Sequence, residues 1–290
     1  MSDTPLLNVE DLKVQFPTRK GLVEAVRGVS FSLGREKLGI VGESGSGKSM
    51  TGRSILRLVS RPGIVTARRL EFDGIDLQRA SEAQMRRIRG QRISMVMQDP
   101  KFSLNPVMRV GDQIAEAYRT HQKVPPAEAK RRALDMLSAV RIRDPERVYR
   151  AYPHEVSGGM GQRIMIAMML IPDPDLLIAD EPTSALDVTV QLQVLAILDD
   201  LVTQRGMGLI FISHDLNLVA SFCDRVIIMY AGRIMEICDA KNLAAAQHPY
   251  TRGLLNCLPS IDGDGGALPV LKRDPAWLEH GLEHGLEGGR

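Results

Sequence analysis

Short apolar runs alternate with longer amphipathic stretches along most of the chain. Runs rich in β-branched and aromatic residues, bounded by turn formers, read as strands. They cover residues 8–16, 23–33, 37–41, 69–72, 93–97, 175–180, 208–213, 225–230 and 233–238. Stretches whose apolar positions recur every three or four residues predict helices over 50–59, 188–205 and 216–223. From residue 175 onward strands and helices take turns, which predicts an α/β sheet with crossover connections. The first two strands are separated only by the polar turn Pro17-Thr18-Arg19-Lys20-Gly21. They predict an antiparallel flank.

Residues 99–165 break this alternation. They hold helical stretches over 110–121, 128–140 and 145–151 and no strand-like run, as a helical insertion in an α/β core would. Beyond residue 251 the periodicity fades. Gly263, Gly265 and Gly266 interrupt it, and Leu278-Glu279-His280-Gly281 is followed by the near-copy Leu282-Glu283-His284-Gly285. The last ~25 residues are expected to be loosely held.

Composition narrows the class. A chain of 290 residues fits one large domain or two small ones and can bury a sizeable core. Its 44% hydrophobic and 25% charged residues are those of a soluble globular protein. The net charge of +2 does not point to a polyanionic partner. Arginines gather at Arg86, Arg87, Arg89 and Arg92 and again between Arg141 and Arg150, and they read as solvated helix faces. The longest apolar run, 164–171, is far short of the ~18–20 residues that cross a bilayer. No secretory signal is expected from Met1-Ser2-Asp3-Thr4-Pro5. Cys223, Cys238 and Cys257 are scattered without C-x-x-C spacing, as in a reduced protein without a zinc site.

The candidate chemistry begins at Gly42-Glu43-Ser44-Gly45-Ser46-Gly47-Lys48-Ser49, a complete G-x-x-x-x-G-K-S phosphate-binding loop. It follows a predicted strand and opens a predicted helix, the context the motif requires. Its glycines let backbone N–H groups converge on phosphate oxygens, and the helix N-terminus adds partial positive charge. Lys48 is expected to reach the β- and γ-phosphates and the Ser49 hydroxyl to ligate Mg²⁺. A second motif, Leu176-Leu177-Ile178-Ala179-Asp180-Glu181, is an apolar strand ending in adjacent carboxylates. In a phosphate-loop protein the first, Asp180, can hold Mg²⁺, and the second, Glu181, can act as general base on water. A third, Ser157-Gly158-Gly159, opens an apolar helical run and exposes backbone donors to an anion.

Jointly these residues resemble the nucleotide-binding subunit of an ATP-binding cassette (ABC) transporter. Residues 42–49 match that family's Walker A loop, 176–181 its Walker B strand and Ser157-Gly158-Gly159 its signature. The resemblance also gives roles to residues that alone would have none. Gln98 matches the Q-loop, Ser184-Ala185-Leu186-Asp187 the D-loop, His214 the switch histidine, and Phe16 the aromatic that stacks on adenine. The match runs over about residues 6–260.

The family pattern implies a P-loop NTPase (RecA-like) α/β core with an antiparallel β flank, an inserted α-helical subdomain and a short C-terminal extension. Residues 1–98 and 166–250 are expected to form the two parts of the core, 99–165 the helical subdomain and 251–290 the extension. ATP and Mg²⁺ are the implied cofactors. Nucleotide contacts are expected from Phe16, Gly42, Glu43, Ser44, Gly45, Ser46, Gly47, Lys48, Ser49, Met50, Ser157, Gly158, Gly159 and Asp187. Metal contacts are expected from Ser49, Gln98 and Asp180, and catalytic roles from Glu181, His214 and Gln98. One departure is Met160, where the family most often has glutamine; Gln162 is a nearby amide.

By the same resemblance two subunits meet head to tail and sandwich ATP between one Walker A loop and the other's signature serine. Gln98-Asp99-Pro100 through Pro106 and Gln247-His248-Pro249-Tyr250-Thr251 look like the dipeptide, oligopeptide and nickel importer branch. That implies a second, paralogous ATP-binding subunit, two permease subunits and an external solute-binding protein, with this chain peripheral on the cytoplasmic face of the cell membrane. The implied cargo is a peptide; nickel, glutathione or another small solute is the alternative. A soluble ABC ATPase acting on nucleic acid or ribosomes is a further reading, disfavoured by the single cassette and the weak charge.

Overall fold

The computed structural model describes residues 4–97, 103–184, 186–257 and 273–279. They divide into two compact units, Met1–Arg79 with Phe211–Arg290, and Ala80–Ile210. The strands are β1 (Leu7–Thr18), β2 (Gly21–Leu33), β3 (Lys37–Gly42), β4 (Ile64–Thr66), β5 (Arg69–Phe72), β6 (Ile75–Asp76), β7 (Ile93–Val96), β8 (Leu176–Asp180), β9 (Gly208–Ser213), β10 (Arg225–Tyr230) and β11 (Arg233–Asp239). The described α-helices are α1 (Lys48–Ile55), α2 (Glu82–Ile88), α3 (Val110–His121), α4 (Pro126–Ala139), α5 (Pro145–Arg150), α6 (Gly158–Leu170), α7 (Val188–Arg205), α8 (Leu216–Phe222), α9 (Pro249–Asn256) and α10 (Ala276–Glu279). No described helix is long and apolar enough to cross a membrane.

In the first unit β1 pairs antiparallel with β2 on one side and with β4 and β5 on the other, and β5 pairs with β6. The buried positions of β1 do not keep strict alternation. Leu7 and Val9 are buried, and so are Leu12 and Val14, two residues apart but out of phase with the first pair. The register skips between Val9 and Leu12, where Asp11 takes a left-handed φ of 50°. This β-bulge turns the strand by one residue, so both pairs face the same core. Opposite it, Gly28 (φ 81°) absorbs the matching skip in β2 and keeps Val26 in phase with Val29, Phe31 and Leu33. A third skip lies at Ala25, where the pair Val14–Val26 gives way to Gln15–Glu24.

The same unit contains β3 parallel to β10, and β10 antiparallel to β11. Leu38–Gly42 and Val226–Met229 are buried without alternation, the pattern of strands covered on both faces. The expected helix 50–59 is shorter. It ends at Ile55, because Leu56 caps it and Arg57 turns to a φ of 53°.

The second unit holds β7 parallel to β8, all of whose residues are buried, with α6 packed against β7. Helices α3 to α6 bury Ile114, Ala133, Leu137, Val148 and Ile164 against one another. Helix α4 starts two residues earlier than the pattern suggests, because Pro126 fits the first turn, where no intrahelical N–H is needed. Helix α5 opens in the same way at Pro145, with the Asp144 side chain accepting from the Arg147 N–H. The helical stretch shares its compact unit with β7, β8 and α7. Helix α2, whose Arg86 and Arg87 belong to the arginine cluster read as a helix face, is fixed by a reciprocal cap between Ser81 and Gln84.

Candidate functional site

In the first unit, β3 ends at Gly42 and α1 begins at Lys48, with residues 43–47 forming the loop between them. The N-cap, Gly47, has a φ of 98°, and no side chain caps the helix. The helix N-terminus, which favours an anion, is thus not covered by a side-chain cap. Lys48 is 5% exposed, and its Nζ donates to the carbonyls of Gly42 (2.7 Å) and Glu43 (2.9 Å), folding across the loop. Ser44 and Gly45 lie exposed at the crest, and Ser49 and Met50 are half-buried behind it. The buried Ser46 Oγ has no hydrogen-bond partner among the described residues.

Backbone groups brace this loop from outside. The Gly232 N–H donates to the Ser46 carbonyl at 3.0 Å, and the Arg27 N–H donates to the Gly232 carbonyl at 2.7 Å. The Ala25 bulge turns its own carbonyl into the same place. A Cβ at Gly47 would fall 2.6 Å from that oxygen, and one at Gly232 2.8 Å from it. Both positions have positive φ as well, so glycine is required twice over. Nothing in the side chain of Ala25 signals this contact, and sequence reading missed it.

His214 follows β9 directly. The Ser213 hydroxyl accepts from the Asp215 N–H, and the Asp215 carboxylate caps α8 by accepting from the Leu218 N–H. The histidine is thus set between two fixed points. It lines a cavity of about 110 Å³ with Val41, Gly42, Glu43, Leu216 and Leu254, so two of the expected site segments are brought together. Phe16 is half-buried on β1 opposite Val23. The edge of its ring packs on Gly63, where a Cβ would lie 2.8 Å from Cε1.

In the second unit, β8 carries Asp180 to its end, 4% exposed. Glu181 then takes a φ of 48°, a conformation uncommon for a residue with a side chain and concentrated at functional sites. The Glu181 carbonyl accepts from the Ser184 N–H and hydroxyl, which fixes the turn. Asp187 caps α7, its carboxylate accepting from the Val190 N–H at 3.0 Å. Ser157 caps α6 in the same way, accepting from the Met160 N–H at 3.4 Å. Ser157 and Gly158 are exposed, and a Cβ at Gly158 would meet nothing within 4 Å. Gly159 packs tightly on Val190, so the starts of α6 and α7 lie together. Gln98 and Ala185 lie outside the described residues.

The profile described as ABC transporter matches residues 26–184, more than half of the chain. This chain belongs to the ABC transporter family. Its relatives include a probable peptide ABC transporter ATP-binding protein of Sinorhizobium fredii, 52% identical over 88% of this chain and 77% of the relative. The oligopeptide transport ATP-binding protein OppD of Escherichia coli is 45% identical over 93% of this chain and 80% of the relative. Among solved structures, the dimeric post-hydrolysis ATP-binding cassette MJ0796 bound to ADP and Pi is 25% identical. It aligns with a TM-score of 0.71 over 81% of this chain and 99% of its own. The α/β P-loop NTPase fold and the ATP-hydrolysing role follow.

Within this ABC ATPase an anionic nucleotide fits the donors found. Uncapped N–H groups, an orphaned Ser46 hydroxyl and the Lys48 ammonium lie in one loop. The signature departure at Met160 leaves the Ser157 cap and the exposed N-terminus of α6 intact. Gln162 does not replace the missing amide at the surface. It is 2% exposed, and its Nε2 has no hydrogen-bond partner among the described residues.

Proposed function

We propose that this chain is the ATP-hydrolysing subunit of an importer that takes up di- and oligopeptides through separate permease subunits. The observation that carries this reading is the agreement of relatives named for peptide, oligopeptide and dipeptide transport, each at least 45% identical over about nine-tenths of the chain. The Gln247-to-Thr251 segment, shared with that branch by resemblance, supports it. The chain lies peripherally on the cytoplasmic face of the membrane. It works with a paralogous ATP-binding subunit, two permeases and a solute-binding protein, and does not bind nucleic acid.

Residues 1–98 and 166–250 make up the nucleotide core, 99–165 the helical subdomain and 251–290 an extension. Phe16 stacks on the adenine. Gly42 to Met50 hold the phosphates, with Lys48 moving from the Gly42 and Glu43 carbonyls toward the β- and γ-phosphoryl oxygens. Ser49, Gln98 and Asp180 would hold Mg²⁺, which would neutralise phosphate charge. Glu181, fixed by its left-handed backbone, takes the proton of the attacking water on its carboxylate. His214 and Gln98 sense the terminal phosphate. Ser157, Gly158, Gly159 and Asp187 face the nucleotide held by the partner subunit. An exposed helix N-terminus is the type of surface that a second anionic face would close on.

The test is uptake into vesicles containing this chain, its paralogue, both permeases and the solute-binding protein. ATP-dependent accumulation of labelled peptides is expected. Accumulation of nickel or glutathione without peptide would overturn the cargo assignment.

A further inference from the structure

The tail segment 273–279 packs beside the phosphate loop. Arg273 Nη2 lies 3.0 Å from Oε2 of Glu43, the second residue of that loop. We infer that Arg273 is a positioning residue for nucleotide binding: it neutralises and orients the Glu43 carboxylate at the rim of the phosphate loop, making the C-terminal extension part of the nucleotide site. This inference rests on the reading of residues 42–49 as that site.

A carboxylate beside a polyphosphate pocket repels the ligand, and its removal from play favours binding. An exposed ion pair by itself contributes little, because two long side chains must be ordered to make it. Here both ends are already anchored. Glu43 is fixed by its carbonyl, which accepts from Lys48 Nζ and from the Ser46 N–H. Arg273 is followed by a tight turn in which the Asp274 carboxylate accepts from the Ala276 N–H. That turn delivers Trp277 into a ring cluster, with centroids 5.6 Å from Tyr250, 6.2 Å from Tyr230 and 6.0 Å from His248. Beyond it, the Leu278 carbonyl accepts from Arg27 Nη1 at 3.1 Å.

The floor of this seat is the segment after β11. The Glu236 carboxylate accepts from the N–H groups of Gln247 (2.6 Å) and His248 (3.2 Å), and Tyr250 behind them is fully buried. Burial raises the Tyr250 phenol pKa, and the negative charge of Glu43 raises it further. The Gln247-to-Tyr250 segment thereby acquires a physical role as the seat that sets Arg273 over Glu43.

The experiment measures MgATP affinity of the full chain by calorimetry or competition with a fluorescent nucleotide. Arg273→Glu is expected to weaken binding about tenfold at low salt, with the loss shrinking toward the unaltered chain near ~1 M salt. Arg273→Ala and Trp277→Ala are each expected to cost ~2–5-fold. The double variant R273A/E43Q should recover to within about twofold, which a merely structural strap would not produce. Equal or tighter binding by Arg273→Glu, or no recovery in the double variant, overturns the inference while leaving the phosphate loop in place. Absence of nucleotide binding by the unaltered chain overturns both.

Discussion

The phosphate loop of the first unit and the Ser157-Gly158-Gly159 segment of the second are built in opposite ways. The phosphate loop of the first unit is enclosed. Its lysine is 5% exposed and bonded to two loop carbonyls, and neighbouring backbone meets it from β2 and from the β10–β11 turn. The signature segment of the second unit is open. Ser157 and Gly158 face solvent, and a Gly158 Cβ would meet nothing beyond its chain neighbours and its own helix backbone. A pocket meant to hold an anion alone gains from rigid, pre-oriented donors, because no reorganisation is then needed on binding. A surface meant for a ligand carried by another subunit must stay uncovered until that subunit arrives. On the function proposed above, this difference would be a division of labour between gripping and closing.

Substitutions sharpen or break this division. The largest effect is expected from Glu181→Gln, which should lower phosphate release by ~10²–10⁴-fold while nucleotide binding persists. Lost binding, measured by calorimetry, would mean that the second unit also grips. Next comes Lys48→Ala, expected to weaken nucleotide affinity on the order of a hundredfold through loss of charge-assisted bonds. Unchanged affinity would remove the gripping role from the first unit. Gly47→Ala is expected to destabilise the fold by ~1–3 kcal/mol, because the left-handed backbone and the Ala25 carbonyl both oppose a Cβ. Chemical denaturation would read this loss, and a comparable loss for Gly158→Ala would erase the contrast between the two segments. The smallest effect is expected from Ser157→Ala, ~0.5–1 kcal/mol of stability for a missing cap. Nucleotide binding by the separated subunit should stay unchanged while partner-dependent hydrolysis falls. A fall in binding by the lone subunit would contradict the open-face reading.

Much of this arrangement was legible in the residues. The apolar runs located the main strands because β3, β8, β9 and β10 are buried almost throughout. The phosphate loop and the acidic strand end were legible because their chemistry demands particular side chains at fixed spacing. What escaped was carried by backbone or by distant partners. The Asp11 and Gly28 bulges reset the alternation of β1 and β2, and period-two reading assumes an unbroken phase. Helix α10 was missed, and 273–279 fell within a tail expected to be loosely held. Those residues pack because Trp277 finds Tyr230, Tyr250 and His248, far away in sequence. The rest of that tail, 258–272 and 280–290, lies outside the described residues.

The carbonyl of Ala25 touches its two glycine neighbours through main chain alone. Such a junction makes no use of the side chain of residue 25 and is unforgiving at residues 47 and 232. The loss of one residue from that strand would withdraw the wedge and invert the facing of the hairpin arm beyond it. Here the contact depends on chain length rather than on lettering.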